Sequence, residues 1–237
     1  REDNKICVLD ADLSKPNGTS SLYKEFPDRC FDVGIAEANM VGVAAGLAAY
    51  GYKPIVVTFA PFATRRVCDQ IAVSVAYAKQ NVKIVGTDPG ITAELNGGTH
   101  MSFEDIATLR SIPTMTIYDA VDDTQVYQAI KQIMNTDGLC YIRMPRKAAQ
   151  PVYDENYKFA LNKADVITKG NDITIVASGI MVAESLKAVL KLKEEGISAE
   201  LISANTIKPL DEETILNSIK KTNHVVTCEN HNVIGGL

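Results

Sequence analysis

Glu37 is the residue in this chain whose placement asks most directly for a chemical explanation. It lies in Gly34-Ile35-Ala36-Glu37-Ala38-Asn39-Met40, at the start of the most apolar helical segment of the sequence. A carboxylate in a first helical turn is favoured by the macrodipole at about 0.3–1 kcal/mol, and position alone allows that reading. Its apolar neighbours allow another, because a buried carboxyl must be neutralised, paired or hydrogen-bonded to avoid a cost of several kcal/mol. A ligand nitrogen could be that partner. Phe59 and Phe62, three residues apart at a strand-to-helix junction, fall where open α/β sheets bind ligands. Core packing accounts for two Phe residues equally well. Arg65 and Arg66, one turn on, are odd company for a core and mark a wet, anion-tolerant rim. His100 ends the loop Asn96-Gly97-Gly98-Thr99-His100, where it could handle protons, although a plain helix-entry turn also explains the glycines. Arg146, between Arg143 and Lys147, could hold an anion by its planar fork or belong to a solvated charge run.

The elements that must position these residues follow the α/β pattern, with strand-length apolar runs alternating with helical periods as in parallel sheets with crossover helices. Strands are expected at 6–9, 55–59, 83–86, 115–118 and 139–143. Residues 10–28 read as a long loop, and 35–50 as a buried helix. Gly42 and Gly46 weaken that helix by about 1 kcal/mol each, so another helix, from a second subunit, is expected to press on their face. A helix opened by Pro61 should run to about residue 80, a short one should start at a capping box formed by Ser102 and Asp105, and a third should span Asp123–Asn135. Periodicity fails between 145 and 163. This places a first domain at 1–147, a linker at 148–163 and a second α/β domain at 164–237, with strands at 173–177, 199–203 and 225–229 and helices at 182–195 and 211–221. The second domain reads as cut short, and the opening Arg1 as the result of trimming.

Composition excludes several classes. Hydrophobic residues are 46% and charged residues 22% of the 237, with 24 Lys plus Arg against 29 Asp plus Glu. Without a basic field, nucleic acid is not an expected partner, and no apolar run has spanning length. The five cysteines (Cys7, Cys30, Cys68, Cys140, Cys228) are scattered, with no Cys-x-x-Cys pair, which fits reduced thiols in a cytoplasmic protein.

Taken together, the segments Ala11-Asp12-Leu13-Ser14, Phe31 through Met40, Thr58-Phe59-Ala60-Pro61-Phe62-Ala63-Thr64-Arg65, Gly97-Gly98-Thr99-His100, Tyr141 through Arg146 and Thr227-Cys228-Glu229-Asn230-His231 resemble the transketolase family of thiamine-diphosphate enzymes, in the family's order and over nearly the whole chain. The resemblance implies a pyrimidine-binding domain followed by a C-terminal domain, and transfer of a two-carbon ketol unit from a ketose to an aldose. It implies that the Glu37 carboxyl bonds N1′ of the cofactor's aminopyrimidine and so promotes loss of the thiazolium proton. Phe59 and Phe62 would flank the pyrimidine, Asp12 and Arg65 would lie at the cofactor, His100 would contact the reacting sugar oxygens, and Arg146 would hold the sugar's terminal anionic group. The sequence has no Gly-Asp-Gly followed by Asn-Asn, the family's segment for the diphosphate and its Mg2+ (or Ca2+). A partner chain should supply it, as in a split transketolase, with homodimerisation through both domains. Asp88, Asn96 and Gly98 stand where the family commonly has His, Asp and Pro in the loop that meets the sugar, which puts standard pentose-phosphate substrates in doubt. The nearest enzymatic rivals are 1-deoxyxylulose-5-phosphate synthase and the beta subunits of 2-oxoacid dehydrogenases, which share the Gly-Ile-Ala-Glu segment. The rival from another class is a non-catalytic assembly module.

Overall fold

The structure, a computed structural model, describes residues 3–237. Its elements in chain order are β1 (Ile6–Asp10), α1 (Ser20–Glu25), β2 (Cys30–Asp32), α2 (Glu37–Ala49), β3 (Lys53–Phe59), α3 (Ala60–Ala63), α4 (Cys68–Gln70), β4 (Lys83–Thr87), α5 (Asp105–Arg110), β5 (Thr116–Asp119), α6 (Asp123–Asn135), β6 (Cys140–Met144), β7 (Asp165–Thr168), β8 (Ile173–Ala177), α7 (Met181–Glu194), β9 (Ala199–Ser203), β10 (Thr206–Lys208), α8 (Glu212–Thr222) and β11 (Val225–Cys228). The first sheet has the order β10-β5-β6-β4-β3-β1-β2 and the second β11-β8-β9-β7. Both are parallel except at one edge, where β10 and β7 run antiparallel to β5 and β9. The fold class is α/β, as the alternation of short apolar runs and helical periods requires. The central strands are buried on both faces, which explains why β4 is apolar or small at most positions and wholly buried.

Several local expectations change. The stretch 10–28 is not a plain loop, because it contains α1 and a 3-10 turn at Pro27–Arg29. The long helix expected from Pro61 is broken. Thr64 leaves helical geometry (φ −127°, ψ −88°) while its hydroxyl donates back to the Ala60 carbonyl at 2.7 Å, and a 3-10 turn, α4 and a π-helical segment at Ile71–Tyr77 follow. Such back-bonding by Thr competes with the helical ladder. No capping box forms at α5, whose N-cap is Glu104 without a side-chain bond. Asp105 is instead turned inward to meet a buried arginine.

Helix α2 buries Glu37, Met40, Val41, Ala44 and Ala45. Gly42 and Gly46 face the other way, and a Cβ added to either would meet nothing within 4 Å, so none of the described residues presses on that face at these positions. A helix apolar on all sides has a second face that its own sheet does not cover. Nearby Ile35, Tyr50 and Tyr77 are exposed as well.

The segment between the sheets is strapped onto α6. Gln128 and Gln132, four apart and therefore on one helical face, accept from the main-chain N–H groups of Phe159 (2.9 Å) and Leu161 (3.0 Å), and Phe159 packs edge-on against Tyr118 at 5.5 Å. The second unit also lends β10 to the first sheet, pairing Thr206 with Tyr118 and Lys208 with Ile117.

Candidate active site

The order of the first sheet brings the chemistry to one edge. Strands β3, β4 and β6 are parallel neighbours in register, with Phe59 opposite Thr87 and Thr87 opposite Met144. The residues at and just beyond their carboxyl ends, Phe59, Asp88 and Arg146, therefore stand side by side, where open α/β sheets form their crevices. Helix α2 starts at the same edge after the turn that follows β2.

Glu37 is 4% exposed. Among the described residues its carboxylate has one hydrogen-bond partner, Arg66, whose Nη1 lies 2.5 Å from Oε1 and whose guanidinium sits 3.8 Å over the Phe62 ring. Phe62, Phe59 and His100 form a triangle of rings with centroid separations of 6.1, 5.6 and 5.2 Å, the imidazole meeting both phenyl rings edge-on. The Thr99 hydroxyl is 2.9 Å from His100 Nδ1. Arg65 turns away from Glu37 to pair with Glu104 at 2.7 Å and to donate to the Thr99 carbonyl at 3.2 Å, which ties down the loop that carries His100. The break at Thr64 lets these adjacent guanidinium groups diverge. Arg146 lies over Phe59 at 4.7 Å and is held by Asp88, which accepts from both its main-chain N–H (2.9 Å) and its Nε.

Glu37, Phe59, Phe62, His100, Asp88 and Arg146 thus form one connected group. Asp12 and Asn96 lie outside it. Asp12 is exposed in a left-handed turn (φ 59°) after β1, its N–H donating to Asp32 at 2.9 Å, and Asn96 is exposed at the end of the 3-10 segment Gly90–Asn96.

Two pairings are not readable from the sequence. The first is Arg66 as the partner of Glu37, where only the doubled arginine hinted at a role. The second is a buried cluster behind the site. Arg143, 1% exposed, donates from Nε to Asp105 at 2.7 Å, from Nη1 to both Asp119 oxygens at 3.2 and 3.3 Å, and from Nη2 to the Asn230 carbonyl at 2.6 Å. Asp105 also accepts from the Tyr141 hydroxyl at 2.8 Å, and Asp119 from Ser178 at 2.9 Å. Burial works against the charge on Arg143, but Asp105 and then Asp119 outweigh it and hold its pKa above the usual value. Burial raises the pKa of Asp119. Ser178 and Asn230 come from the second unit, so the cluster locks the two units together behind the functional edge.

Among the described residues the buried Glu37 carboxylate has one side-chain partner, and that side chain is itself 44% exposed. With an adjoining aromatic triangle, this donor set suits a planar nitrogen heterocycle that can take the place of Arg66. Among the described residues no group of three His, Cys, Asp or Glu side chains could hold a metal ion, no helix is long and apolar enough to cross a membrane, and all five cysteines are free.

An open α/β sheet with a buried carboxylate and clustered rings at its carboxyl edge places a ligand crevice there, and comparison with known proteins identifies the class of protein. Residues 1–151 match the transketolase pyrimidine-binding domain and residues 162–237 the transketolase C-terminal domain. The chain belongs to the transketolase family, and with the family comes dependence on thiamine diphosphate. It is 53% identical over 237 residues to the 6-deoxy-6-sulfo-D-fructose transketolase subunit SqwH of Clostridium sp. (strain MSTE9), covering 100% of this chain and 74% of that protein. It is 44% identical over 234 residues to the putative transketolase C-terminal section of Methanocaldococcus jannaschii, covering 98% and 73%. A solved structure described as a split gene transketolase, inactive beta4 tetramer, superposes with a TM-score of 0.91 at 42% identity over 100% of this chain and 77% of that one.

Proposed function

We propose that this chain is the pyrimidine-domain subunit of a split, thiamine-diphosphate-dependent transketolase that moves a two-carbon ketol unit from a ketose to an aldose. The observation that carries the reading is the buried Glu37 carboxylate, held by one half-exposed arginine beside the Phe59, Phe62 and His100 rings. When bound, the cofactor supplies the nucleophilic carbon and the electron sink for carbon–carbon cleavage. Glu37 exchanges Arg66 for the ring nitrogen of the pyrimidine and holds a shared proton there, a role that needs a carboxylate shielded from water. Phe59 and Phe62 offer planar faces to the heterocycle, and Asp12 and Arg65 border it, Arg65 by ordering the His100 loop. His100 and Asn96 meet the sugar hydroxyls, and Arg146 meets the far, anionic end of the substrate, with Asp88 behind it.

The diphosphate and its Mg2+ (or Ca2+) are held mainly by the partner subunit, and the open face of Gly42 and Gly46 on α2, a helix followed by the exposed Tyr50, meets a second copy of this chain. A cytoplasmic setting accords with five free thiols. The relative named for 6-deoxy-6-sulfo-D-fructose points to a donor ketose that carries its anionic group at the end far from the carbonyl.

The experiment is reconstitution with the partner subunit, followed by calorimetric titration with thiamine diphosphate and a ketol-transfer assay. Glu37→Gln should leave assembly intact and lower kcat roughly 10²–10⁴-fold, the range expected for loss of positioned proton transfer. Normal turnover in that variant would refute the role given to Glu37.

A further inference from the structure

Asp88 does more than border the site. Its side chain is 5% exposed, and it occupies a left-handed conformation (φ 50°) immediately after β4, with its N–H bonded to the Met144 carbonyl at 3.0 Å. The next residues are clamped by the second unit. Asn230 donates to the Pro89 carbonyl and accepts from the Ile91 N–H, both at 2.9 Å. Gly90 has φ 55°, and a Cβ there would lie 2.3 Å from Asn230 Oδ1. With the backbone beside it fixed in this way, the Asp88 carboxylate is buried against Arg146. It engages the Nε edge and the main-chain N–H of Arg146, while neither terminal amine of that guanidinium has a protein partner among the described residues.

The same neutralisation recurs around the site. Arg65 faces Glu104, Arg66 faces Glu37, Arg146 faces Asp88, and Lys147 faces Glu94 at 3.7 Å. Each of these four cations is matched by a carboxylate of this chain. What Arg146 offers a substrate is two terminal amines in a plane, with four N–H donors between them, on a group whose charge is already balanced. A phosphate ester carries close to two negative charges at neutral pH, whereas a sulfonate carries one while presenting the same number of terminal oxygens to those donors.

We propose that Asp88 is a specificity-determining residue that, by fixing and neutralising Arg146, makes the far end of the substrate site select a singly charged terminus such as a sulfonate over a phosphate dianion. The inference rests on the reading of Arg146 as the contact for that end of the sugar. It reassigns Asp88 from a substrate ligand to a positioning residue that acts through Arg146.

The test is calorimetric binding of two matched three-carbon probes, 2,3-dihydroxypropane-1-sulfonate and glycerol 3-phosphate, to the full chain assembled with its partner subunit, at a pH well above the second phosphate ionisation near about 6. The unaltered protein should bind the sulfonate about tenfold more tightly, because desolvating the second phosphate charge costs more than a guanidinium already balanced by Asp88 returns. D88N and D88S should shift the ratio toward phosphate by about tenfold or more, since either leaves Arg146 charged and uncompensated. Tighter phosphate binding by the unaltered protein, no binding of either probe, or an unchanged ratio in both variants would overturn the proposal. The readout is binding, so failure of the broader reading shows separately, as an assembled enzyme that ranks the two anions in this way yet transfers no ketol unit from any ketose.

Discussion

Replacing Arg143 with Met should be among the most damaging single changes in this chain. The side chain is 1% exposed and donates to two carboxylates and a carbonyl. Met keeps most of its length and apolar stem, so the change isolates the charge. Asp105 and Asp119, 0% and 2% exposed, then lose the guanidinium between them, and the buried His231 imidazole 3.9 Å from Asp105 does not reach across to replace it. Breaking a buried pair from one side costs about 3–5 kcal/mol, a large share of the roughly 5–15 kcal/mol that holds a typical domain together. The damage should depend on pH in a definite direction. Burial already places the pKa of Asp119 above the ordinary aspartate value, and Arg143 opposes that shift, so removing Arg143 raises it further. An aspartate whose folded-state pKa exceeds its unfolded value binds its proton more tightly when folded. The folded variant therefore gains on the unfolded chain as pH falls from the raised value toward the unfolded one. Urea unfolding at fixed protein concentration should show the full deficit near neutral pH and a narrowing deficit under mildly acidic conditions. Adding Asp105→Asn and Asp119→Asn to Arg143→Met should recover much of the loss, because no buried charge is then left unpaired. A deficit below about 1 kcal/mol near neutral pH, the range of an exposed pair, or one that widens on acidification, would show that the cluster is not the electrostatic lock described above.

His100→Ala should lower kcat/KM for the sugar while leaving the thiamine diphosphate Kd nearly unchanged; a fall in Tm with unaltered kinetics would assign His100 to packing. Gly90→Ala should destabilise the chain by about 1–3 kcal/mol, combining strain at positive φ with a forced shift of Asn230, and chemical denaturation will show whether the cost is that large. Gln128→Ala and Gln132→Ala should each leave a linker N–H without its partner, and should increase proteolytic nicking between residues 148 and 163; unchanged protease resistance would show that the strap holds without them.

Those expectations also mark how far the sequence reaches. The alternation of short apolar runs with helical periods was enough to derive an α/β fold, because each element's pattern is local and every buried strand or helix must show it. Glu37 stood out for the same reason, as a charge inside an apolar period. The broken helix after Pro61 did not, since Thr64 gives no local warning that its hydroxyl will turn back onto Ala60. Nor did the loan of β10 to the first sheet, whose three residues form a strand because Tyr118 and Ile117 offer an open edge. The pairings that shape the site span long stretches of chain. Arg66 meets Glu37 across 29 residues, Arg146 meets Asp88 across 58, and Arg143 meets Asn230 across 87.

By itself the sequence determined which residues are available for chemistry and on what elements they ride, since hydrophobic period, turn residues and motif order are properties of neighbouring positions. Only the tertiary structure decided which charge neutralises which. Arg65 and Arg66 are chemically identical neighbours, yet one orders the His100 loop and the other holds the buried Glu37 carboxylate. Asp88 becomes a fixed counter-charge for Arg146 because β4 and β6 lie side by side and because Asn230 of the second unit clamps the intervening turn. Burial and distance set the strength of each pair, and both arise when the sheets assemble.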